Sequence, residues 1–343
     1  MLFTSKQKIL AFGLFLILIL VFILNLSIGS VQIAFKDVVS ILIFQDADKE
    51  SWKYIILNYR LPKAIVAVLV GMALSISGML MQTLFKNPMA DPYVLGLSSG
   101  SSLGVALVIL GSSLFPFAVK QYFTSSLALV LASVLGSLLV LFIILLVSRK
   151  IRDTMTLLIV GLMFGSFAGA IVGVLSYFSS AEELKKFTFW SLGSLGNVTW
   201  QNISIMTLVI FIGLLLSFRY LKTLNALLLG ENYARSLGVN IKKSRVLIIL
   251  ATAILSGTCT AFAGPIAFVG LAIPHITKMI FKSSNHFCLF FGNLLLGAII
   301  LLFCDAVCQL PGESFILPIN AITSIVGAPI AIYLLLPKQG IRT

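Results

Sequence analysis

The side chains that could do chemistry in this chain are few and far apart. The sequence has two histidines, His275 and His286, and four cysteines. Cys304 and Cys308 are spaced so that a helix would place them on one face, either as two metal ligands or as small packing residues. His275 follows Pro274 in an apolar stretch, where an imidazole either relays protons or hydrogen-bonds a neighbouring helix. We expect packing for the cysteines and an interhelical hydrogen bond for His275.

The motifs of known catalytic sites are missing from the sequence. There is no G-x-x-x-x-G-K-[ST] loop to hold nucleotide phosphates, so we expect the chain not to hydrolyse ATP itself. There is also no H-E-x-x-H zinc motif and no G-x-S-x-G nucleophile motif with a plausible triad. The sequence therefore indicates a protein that is not an enzyme and that needs no metal or cofactor of its own.

The composition indicates what kind of element must position these residues. Of 343 residues, 59% are hydrophobic and 10% are charged, and the mean hydropathy is +1.10. An apolar helix of about 20 residues crosses a bilayer and satisfies its own backbone hydrogen bonds in lipid. We predict an all-α polytopic membrane protein, a single transmembrane domain over residues 1–343 with about ten spans. The predicted spans are approximately 8–28, 62–84, 93–114, 122–147, 154–178, 202–219, 246–263, 266–281, 286–304 and 316–336.

The distribution of charge predicts the orientation of these spans. The net charge is +13, but the basic residues lie between apolar segments rather than on one face, which argues against nucleic acid as a partner. With ten spans, 16 of the 24 Lys and Arg residues and 3 of the 11 Asp and Glu residues fall on one side. Loops rich in Lys and Arg stay in the cytoplasm, so we expect that side, with both termini, to be cytoplasmic.

The longest polar run between two apolar segments is Leu227–Arg245, which forms most of the loop 220–245. Gly230 can open a short helix here, Glu231 lies in its first turn, and Gly238 follows Leu237 as a stop. With Arg219 just before it, this loop carries six basic residues. One interpretation is a solvated loop that only fixes topology, and the other is a contact site for a partner.

Three stretches of the chain resemble one family. Gly230, Glu231, Ala234, Leu237 and Gly238 form the pattern G-E-x-x-A-x-x-L-G. The run NPMADP at 87–92, followed by GLSSGSSLG, is similar to the signature N-P-L-A-D-P-x-x-L-G-x-S-S-G-A. A third run, from Gly264-Pro265 to Pro274-His275, matches A-G-P-I-G-F-V-G-L-x-x-P-H. The chain resembles the FecCD family, the type II ABC importer permeases for iron chelates and vitamin B12.

This resemblance implies roles for particular residues. The helix of the 220–245 segment docks on an ATPase subunit, and Asn87 and Met89 help to form a cytoplasmic gate. Thr154, after the next inner loop, is a further gate candidate. Arg60 and Lys63 stand at the family's basic positions that meet an extracytoplasmic binding protein. The residues that break helices in the family's pattern are Pro88, Asp91, Pro92, Gly264, Pro265, Pro274 and His275.

The resemblance also implies how the protein works. We expect the permease subunit of an importer in the bacterial inner membrane, paired with a second permease subunit as a homodimer or close heterodimer. Two ATPase subunits drive alternating access, and the cargo is an iron chelate, first of all a ferric siderophore, with haem and cobalamin as alternatives. An ion-coupled secondary transporter is the competing hypothesis, but acidic residues are nearly missing from the predicted spans, where such a protein uses them as relays.

A weak internal repeat fits a transporter. Pro88-x-Ala90 with Gly96-Leu97 is similar to Pro265-x-Ala267 with Gly270-Leu271, and the predicted topology places the two copies on opposite sides of the membrane. Opposite-facing copies are typical of an inverted repeat. We therefore expect an inverted-repeat-like arrangement of the helices. Asp305, at the end of an apolar run, is either a buried charge or a cap.

Overall fold

The chain is built from helices, as predicted. The computed structural model describes residues 4–46, 49–114, 125–150, 154–196, 198–309 and 315–335. Within these ranges there is no β-strand, only one isolated bridge between Gln309 and Ile316. The helices are α1 (Ser5–Ser27), α2 (Phe35–Phe44), α3 (Glu50–Ile55), α4 (Leu61–Leu84), α5 (Leu97–Ile109), α6 (Ser126–Lys150), α7 (Thr154–Phe178), α8 (Ala181–Ser191), α9 (Trp200–Arg219), α10 (Leu221–Leu228), α11 (Glu231–Ser236), α12 (Ile241–Ala263), α13 (Val269–Phe281), α14 (His286–Cys308) and α15 (Ile319–Leu335).

The apolar helices fall into two length classes. In the described part of the chain, seven helices are long and apolar enough to cross a membrane: α1, α3 with α4, α6, α7, α9, α12 and α14. Three shorter apolar helices accompany them: α5 and α13 lie between long helices in the sequence, and α15 follows α14. The prediction of an all-α polytopic protein is confirmed. The ten predicted spans correspond to seven long and three short apolar helices.

Helix α4 lies at the centre of the molecule and packs against α9, α12, α13 and α14. Small residues make the close crossings possible. A Cβ on Gly71 would lie 2.2 Å from the Gly297 carbonyl oxygen in α14, and a Cβ on Gly78 would lie 1.8 Å from the Gly270 carbonyl oxygen in α13. Neither helix pair has room for a side chain at these points.

The helix that contains α4 begins earlier in the chain than the predicted span, which started at residue 62. The segment between the first two predicted spans, residues 29–61, contains α2, and α3 runs into α4 through a wide π-helical turn over Ile56–Arg60. The Leu61 N–H donates to the Ile56 carbonyl in that turn, one residue further back than in an α-helix. Pro62 lies inside the continuous helix. As a proline it has no backbone N–H to donate to the preceding turn.

The two similar motifs meet inside the molecule. The stretch 85–96 precedes the short helix α5, and the stretch 264–268 precedes the short helix α13. The Tyr93 hydroxyl accepts a hydrogen bond from the Ile266 N–H. The Gln82 Nε2 donates to the Leu271 carbonyl at 3.0 Å. The stretches that precede the two short helices therefore contact each other, and α4 contacts the first turn of α13.

Candidate functional site

The 220–245 segment folds into two short helices and the first turn of α12. Helix α10 ends in a tight turn in which the Gly230 N–H donates to the Leu227 carbonyl at 3.1 Å. Gly230 has φ +114° and Gly238 has φ +81°, and open space surrounds both positions. The glycines at the two ends of α11 are therefore needed for backbone conformation rather than for space. The start and stop that the sequence predicted for this helix agree with its bounds.

Glu231 connects α11 to the beginning of α12. Its Oε1 lies 3.1 Å from Arg245 Nη2, and its Oε2 lies 3.8 Å from Arg235 Nη2 on the next turn. The Arg245 side chain is buried, whereas Glu231 is about one-third exposed. The partly buried pair thus fixes the position of α11 relative to the end of a membrane-spanning helix, while the exposed Arg235 contact is weak.

Large apolar side chains are exposed around this carboxylate. Leu229 is 67% exposed and Leu237 is 59% exposed, and Leu228 and Tyr233 are also exposed. We call these four residues the coupling patch. They lie on the polar 220–245 segment, outside the helices that are long enough to span a membrane. Exposed apolar groups on a polar surface usually mark a protein contact.

The turn Asn87–Ala90 connects α4 to the interrupted helix. The Asn87 Oδ1 accepts a hydrogen bond from the Met89 N–H at 2.9 Å, and the Met89 side chain is exposed. The His275 Nε2 lies 3.0 Å from the Pro88 carbonyl oxygen. His275 makes a hydrogen bond, as expected, but its partner is the carbonyl of a turn rather than a neighbouring helix, and the bond ties α13 to this turn.

Asp91 and Pro92 end the turn. The buried Asp91 carboxylate accepts from the Tyr93 N–H at 3.0 Å, and Pro92 begins a short 3-10 helix. Burial raises the pKa of the Asp91 carboxyl to about 6, although the Tyr93 N–H favours its charged form. Thr154, the other gate candidate, is the first residue of α7, and its side chain lies outside the described part of the chain.

Arg60 is enclosed by the loop that precedes α2. Its side chain is 7% exposed and donates to the Leu26 carbonyl at 2.7 Å, to the Ser27 carbonyl at 3.0 Å and to the Val31 carbonyl. The Leu26 and Ser27 carbonyls belong to the last turn of α1, where backbone acceptors lack helical partners, and Val31 lies in the loop that follows. Direct contact between Arg60 and another protein stays a prediction, and the structure gives the guanidinium a structural role that the sequence did not reveal.

Lys63 is held by a carboxylate that is distant in the sequence. Its Nζ lies 2.8 Å from Asp305 Oδ1, and the other carboxylate oxygen accepts from Asn25 and Gln309, each at 3.0 Å. Asp305 is therefore a buried charge rather than a cap. It lies inside α14, so the predicted spans, which ended at residue 304, left out one buried carboxylate.

A cleft of about 1300 Å³ opens beside this ion pair. Arg60, Lys63, Trp190, Gly193 and Asp305 are among the residues that line it. Gly193 and Gly264 approach closely here, because a Cβ on Gly264 would lie 2.9 Å from the Gly193 Cα. The helix-breaking pair Gly264-Pro265 therefore lies at the end of the molecule that carries Lys63.

The four cysteines lie in the interior of the molecule. All four are buried and none forms a disulfide. Within the described ranges there is no group of three or more metal-binding side chains. Cys304 and Cys308 pack in the core around α14, as expected for small residues on a buried helix face.

Comparison with known proteins agrees with these features. The sequence profile of the FecCD transport family matches residues 17–337. The haemin transport system permease protein HmuU of Yersinia pestis is 34% identical over 339 residues, 98% of each chain. The vitamin B12 import system permease protein BtuC of Klebsiella pneumoniae is 34% identical over 330 residues, which is 96% of this chain and 94% of that protein.

A solved structure has the same fold. An inward-facing conformation of a metal-chelate type ABC transporter superimposes with a TM-score of 0.83 at 27% identity and covers 96% of this chain and 100% of its own. The family match, the relatives and the fold agree along nearly the whole chain. This chain therefore belongs to the FecCD transport family and is the membrane permease subunit of an ATP-binding cassette importer.

Proposed function

We propose that the coupling patch is where an ATPase subunit docks. The single observation that carries this proposal is the exposure of four large apolar side chains around Glu231 on a basic segment outside the spans. Such a patch needs a protein partner to leave water. The ion pair between Glu231 and Arg245 supports transmission, because it connects the docked helix to α12.

The gate in this proposal is the turn that carries Asn87 and Met89, with Thr154 as a further member. ATP-driven closure of two ATPase subunits moves α10 and α11, and the turn changes between two arrangements. Such alternating access requires the partner to bind the two arrangements with different affinity. We further propose a second permease subunit across the pathway, an inner-membrane location and cytoplasmic termini.

The opposite end of the molecule receives the cargo in this proposal. Lys63 borders the cleft together with the more exposed Lys185 and Lys186, and an acidic group on a binding protein would approach a lysine that already pairs with Asp305. Arg60 supports this surface from inside, because it holds the loop after α1 in place. Docking would therefore compete with, or add to, an existing carboxylate contact.

The cargo that we propose is an iron chelate, with ferric siderophores as the first class to test. The relatives support other cargoes of the same kind, because one is named for haemin and another for vitamin B12. Haem and cobalamin are therefore the alternatives within the same function. The related structure is of the metal-chelate type, which supports the broader class.

Uptake by a strain that lacks the chromosomal copy tests this proposal. Cells grown on limiting iron receive radiolabelled iron as several siderophores, then haem, then labelled cobalamin. We expect one chelate to enter only when the native chain is restored, and Glu231→Lys to give no uptake despite normal insertion. Equal uptake by the native and Glu231→Lys chains would refute the coupling role.

A further inference from the structure

A buried histidine joins three helices beside the coupling patch. His286 is the first residue of α14 and is 1% exposed. Its Nδ1 lies 2.8 Å from the Asn225 Oδ1 in α10, and its Nε2 lies 2.7 Å from the Thr83 Oγ1 in α4. Both ring nitrogens thus contact side chains, and those side chains belong to two different helices.

The hydrogen bonds around Asn225 define the orientation of the ring. The Asn225 Oδ1 also accepts the His286 backbone N–H at 2.8 Å, and its Nδ2 donates to the Asn285 Oδ1 at 3.2 Å. The Oδ1 is therefore an acceptor, and the Nδ1 that faces it carries a hydrogen. A buried amide and a buried imidazole that satisfy each other in this way resist separation, because either would lose its partner away from water.

The two ends of this contact lie at functional places. Asn225 lies in α10. The turn from α10 to α11 is closed by a hydrogen bond from the Gly230 N–H to the Leu227 carbonyl. Thr83 is in the last turn of α4, directly before the turn that contains Asn87 and Met89. A continuous series of contacts therefore runs from the coupling patch to the proposed gate and passes through one imidazole ring.

We propose that His286 is a positioning residue for transport, which transmits movement of α10 and α11 to the Asn87–Ala90 turn. The inference rests on the proposed function, since it requires an ATPase on the coupling patch. A planar ring with a hydrogen bond at each nitrogen keeps Asn225 and Thr83 at a constant separation. When α10 moves, the end of α4 moves with it, and the turn that follows Thr83 changes position.

Thr83 offers a substitution that removes this contact without changing shape. The Thr83 Oγ1 lies 2.7 Å from the His286 Nε2 and 2.9 Å from the Met79 carbonyl oxygen of its own helix, so its single hydrogen is shared between these two acceptors. Thr252 in α12 is a matched control, because its buried Oγ1 makes the same bond to the Ile248 carbonyl at 3.0 Å. Both Thr83→Val and Thr252→Val remove the contact of the hydroxyl with the carbonyl four residues earlier. Only Thr83→Val also removes the contact with the His286 Nε2. Thr83→Ser keeps the hydroxyl.

The readout is the accessibility of the gate, which needs no knowledge of the cargo. The chain carrying Met89→Cys is purified together with its ATPase subunits and reconstituted in liposomes. Since all four native cysteines are buried, an impermeant maleimide reports on Cys introduced at the exposed position 89. Labelling rates are compared without nucleotide and with ATP plus vanadate, and ATP hydrolysis is measured in the same samples.

We expect the nucleotide to change the labelling rate in the Met89→Cys parent. Thr83→Val should reduce that change by about fivefold, the effect of one buried hydrogen bond, while ATP hydrolysis continues. Thr252→Val and Thr83→Ser should behave like the parent. If nucleotide changes the labelling rate equally in Thr83→Val and Thr252→Val, the role of His286 is overturned and the proposed function remains intact.

Other outcomes separate the two proposals. If the parent copurifies with no ATPase, or if nucleotide leaves its labelling unchanged, the proposed function fails and the inference fails with it. If Thr83→Val abolishes assembly, Asn225→Ala tests the other end of the same contact. Loss of assembly in both variants would show that the contact holds the fold together rather than transmitting movement, and would overturn the proposal.

Discussion

Lys63 at the start of α4 and Asp305 near the end of α14 form an ion pair with their charged atoms 2.8 Å apart. The two residues are far apart in the sequence, and both line the cleft at one end of the molecule. Because Asn25 of α1 also donates to Asp305, one carboxylate holds three helices together. The same lysine is the proposed contact for a binding protein, so stability and docking depend on one group.

Removing one partner of this pair should destabilise the protein. A buried charge without its partner costs about 3–5 kcal/mol, and the partial exposure of Lys63 puts the effect near the lower end. We expect Asp305→Asn to lower the thermal midpoint in detergent clearly. Lys63→Met combined with Asp305→Asn should recover part of the loss. If the loss in the double variant equals or exceeds the sum of the losses in Lys63→Met and Asp305→Asn, the pair is not the stabilising unit.

Replacing Arg60 by lysine separates charge from geometry. An ammonium keeps the positive charge, but it cannot direct planar N–H groups to three carbonyls at once. We expect Arg60→Lys to cost about 1.5–3 kcal/mol of stability, the range for hydrogen bonds of a charged group. Thermal unfolding in detergent measures it, with Lys186→Met on the surface of α8 as control. An unchanged midpoint would indicate that only the charge of Arg60 matters.

The crossing of α4 and α13 should not tolerate a methyl group. A Cβ at position 78 would lie 1.8 Å from the Gly270 carbonyl oxygen, so Gly78→Ala must push the helices apart. Overpacking costs about 1–3 kcal/mol. Gly173→Ala in α7 is the matched control, because nothing lies within 4 Å of its Cβ. There alanine should stabilise the helix by up to about 1 kcal/mol. Equal melting temperatures of the two variants would contradict this packing.

The charge of Glu231 should be exchangeable with that of its partner. Glu231→Lys places three cations together with Arg235 and Arg245, and we expect it to abolish ATP-driven uptake. The double variant Glu231→Arg with Arg245→Glu reverses the pair and should restore part of the uptake. Membrane fractionation serves as the control for insertion. Failure of the reversed pair to improve on Glu231→Lys would mean that the carboxylate contacts the ATPase directly.

Asp91 should make stability depend on pH. Burial raises its pKa from 3.8 to about 6, so the folded protein binds a proton more tightly than the unfolded chain. The stability from this protonation is fully present below about pH 4 and is lost as the pH rises through about 6.

Asp91→Asn keeps an oxygen that can accept the Tyr93 N–H and removes the charge. At pH 7.5 we expect this variant to be more stable than the native protein by about 3 kcal/mol, the equivalent of the shift. The advantage should shrink to about 1 kcal/mol at pH 4.5 and be nearly lost below about pH 4. Thermal unfolding across this range measures it, and a difference that does not vary with pH would show that the carboxylate is not titrating.

The sequence by itself determined the class of the fold and the short helix of the proposed coupling site. Apolar runs in lipid must satisfy their backbone locally, so composition and run length are sufficient to predict spanning helices. Gly230 and Gly238 punctuate α11 through backbone freedom, which is a local property. The family motifs then indicated the transport class.

Only the tertiary structure decided how the charged and polar residues are used. The pairing of Lys63 with Asp305, the burial of Arg60 and the contact of His286 with Asn225 and Thr83 all join residues from different helices. No periodicity in the sequence reports such contacts, because they depend on which helix faces are packed together. The wide turn before Pro62 was also unpredictable, since a proline is expected to begin a helix and here lies within one.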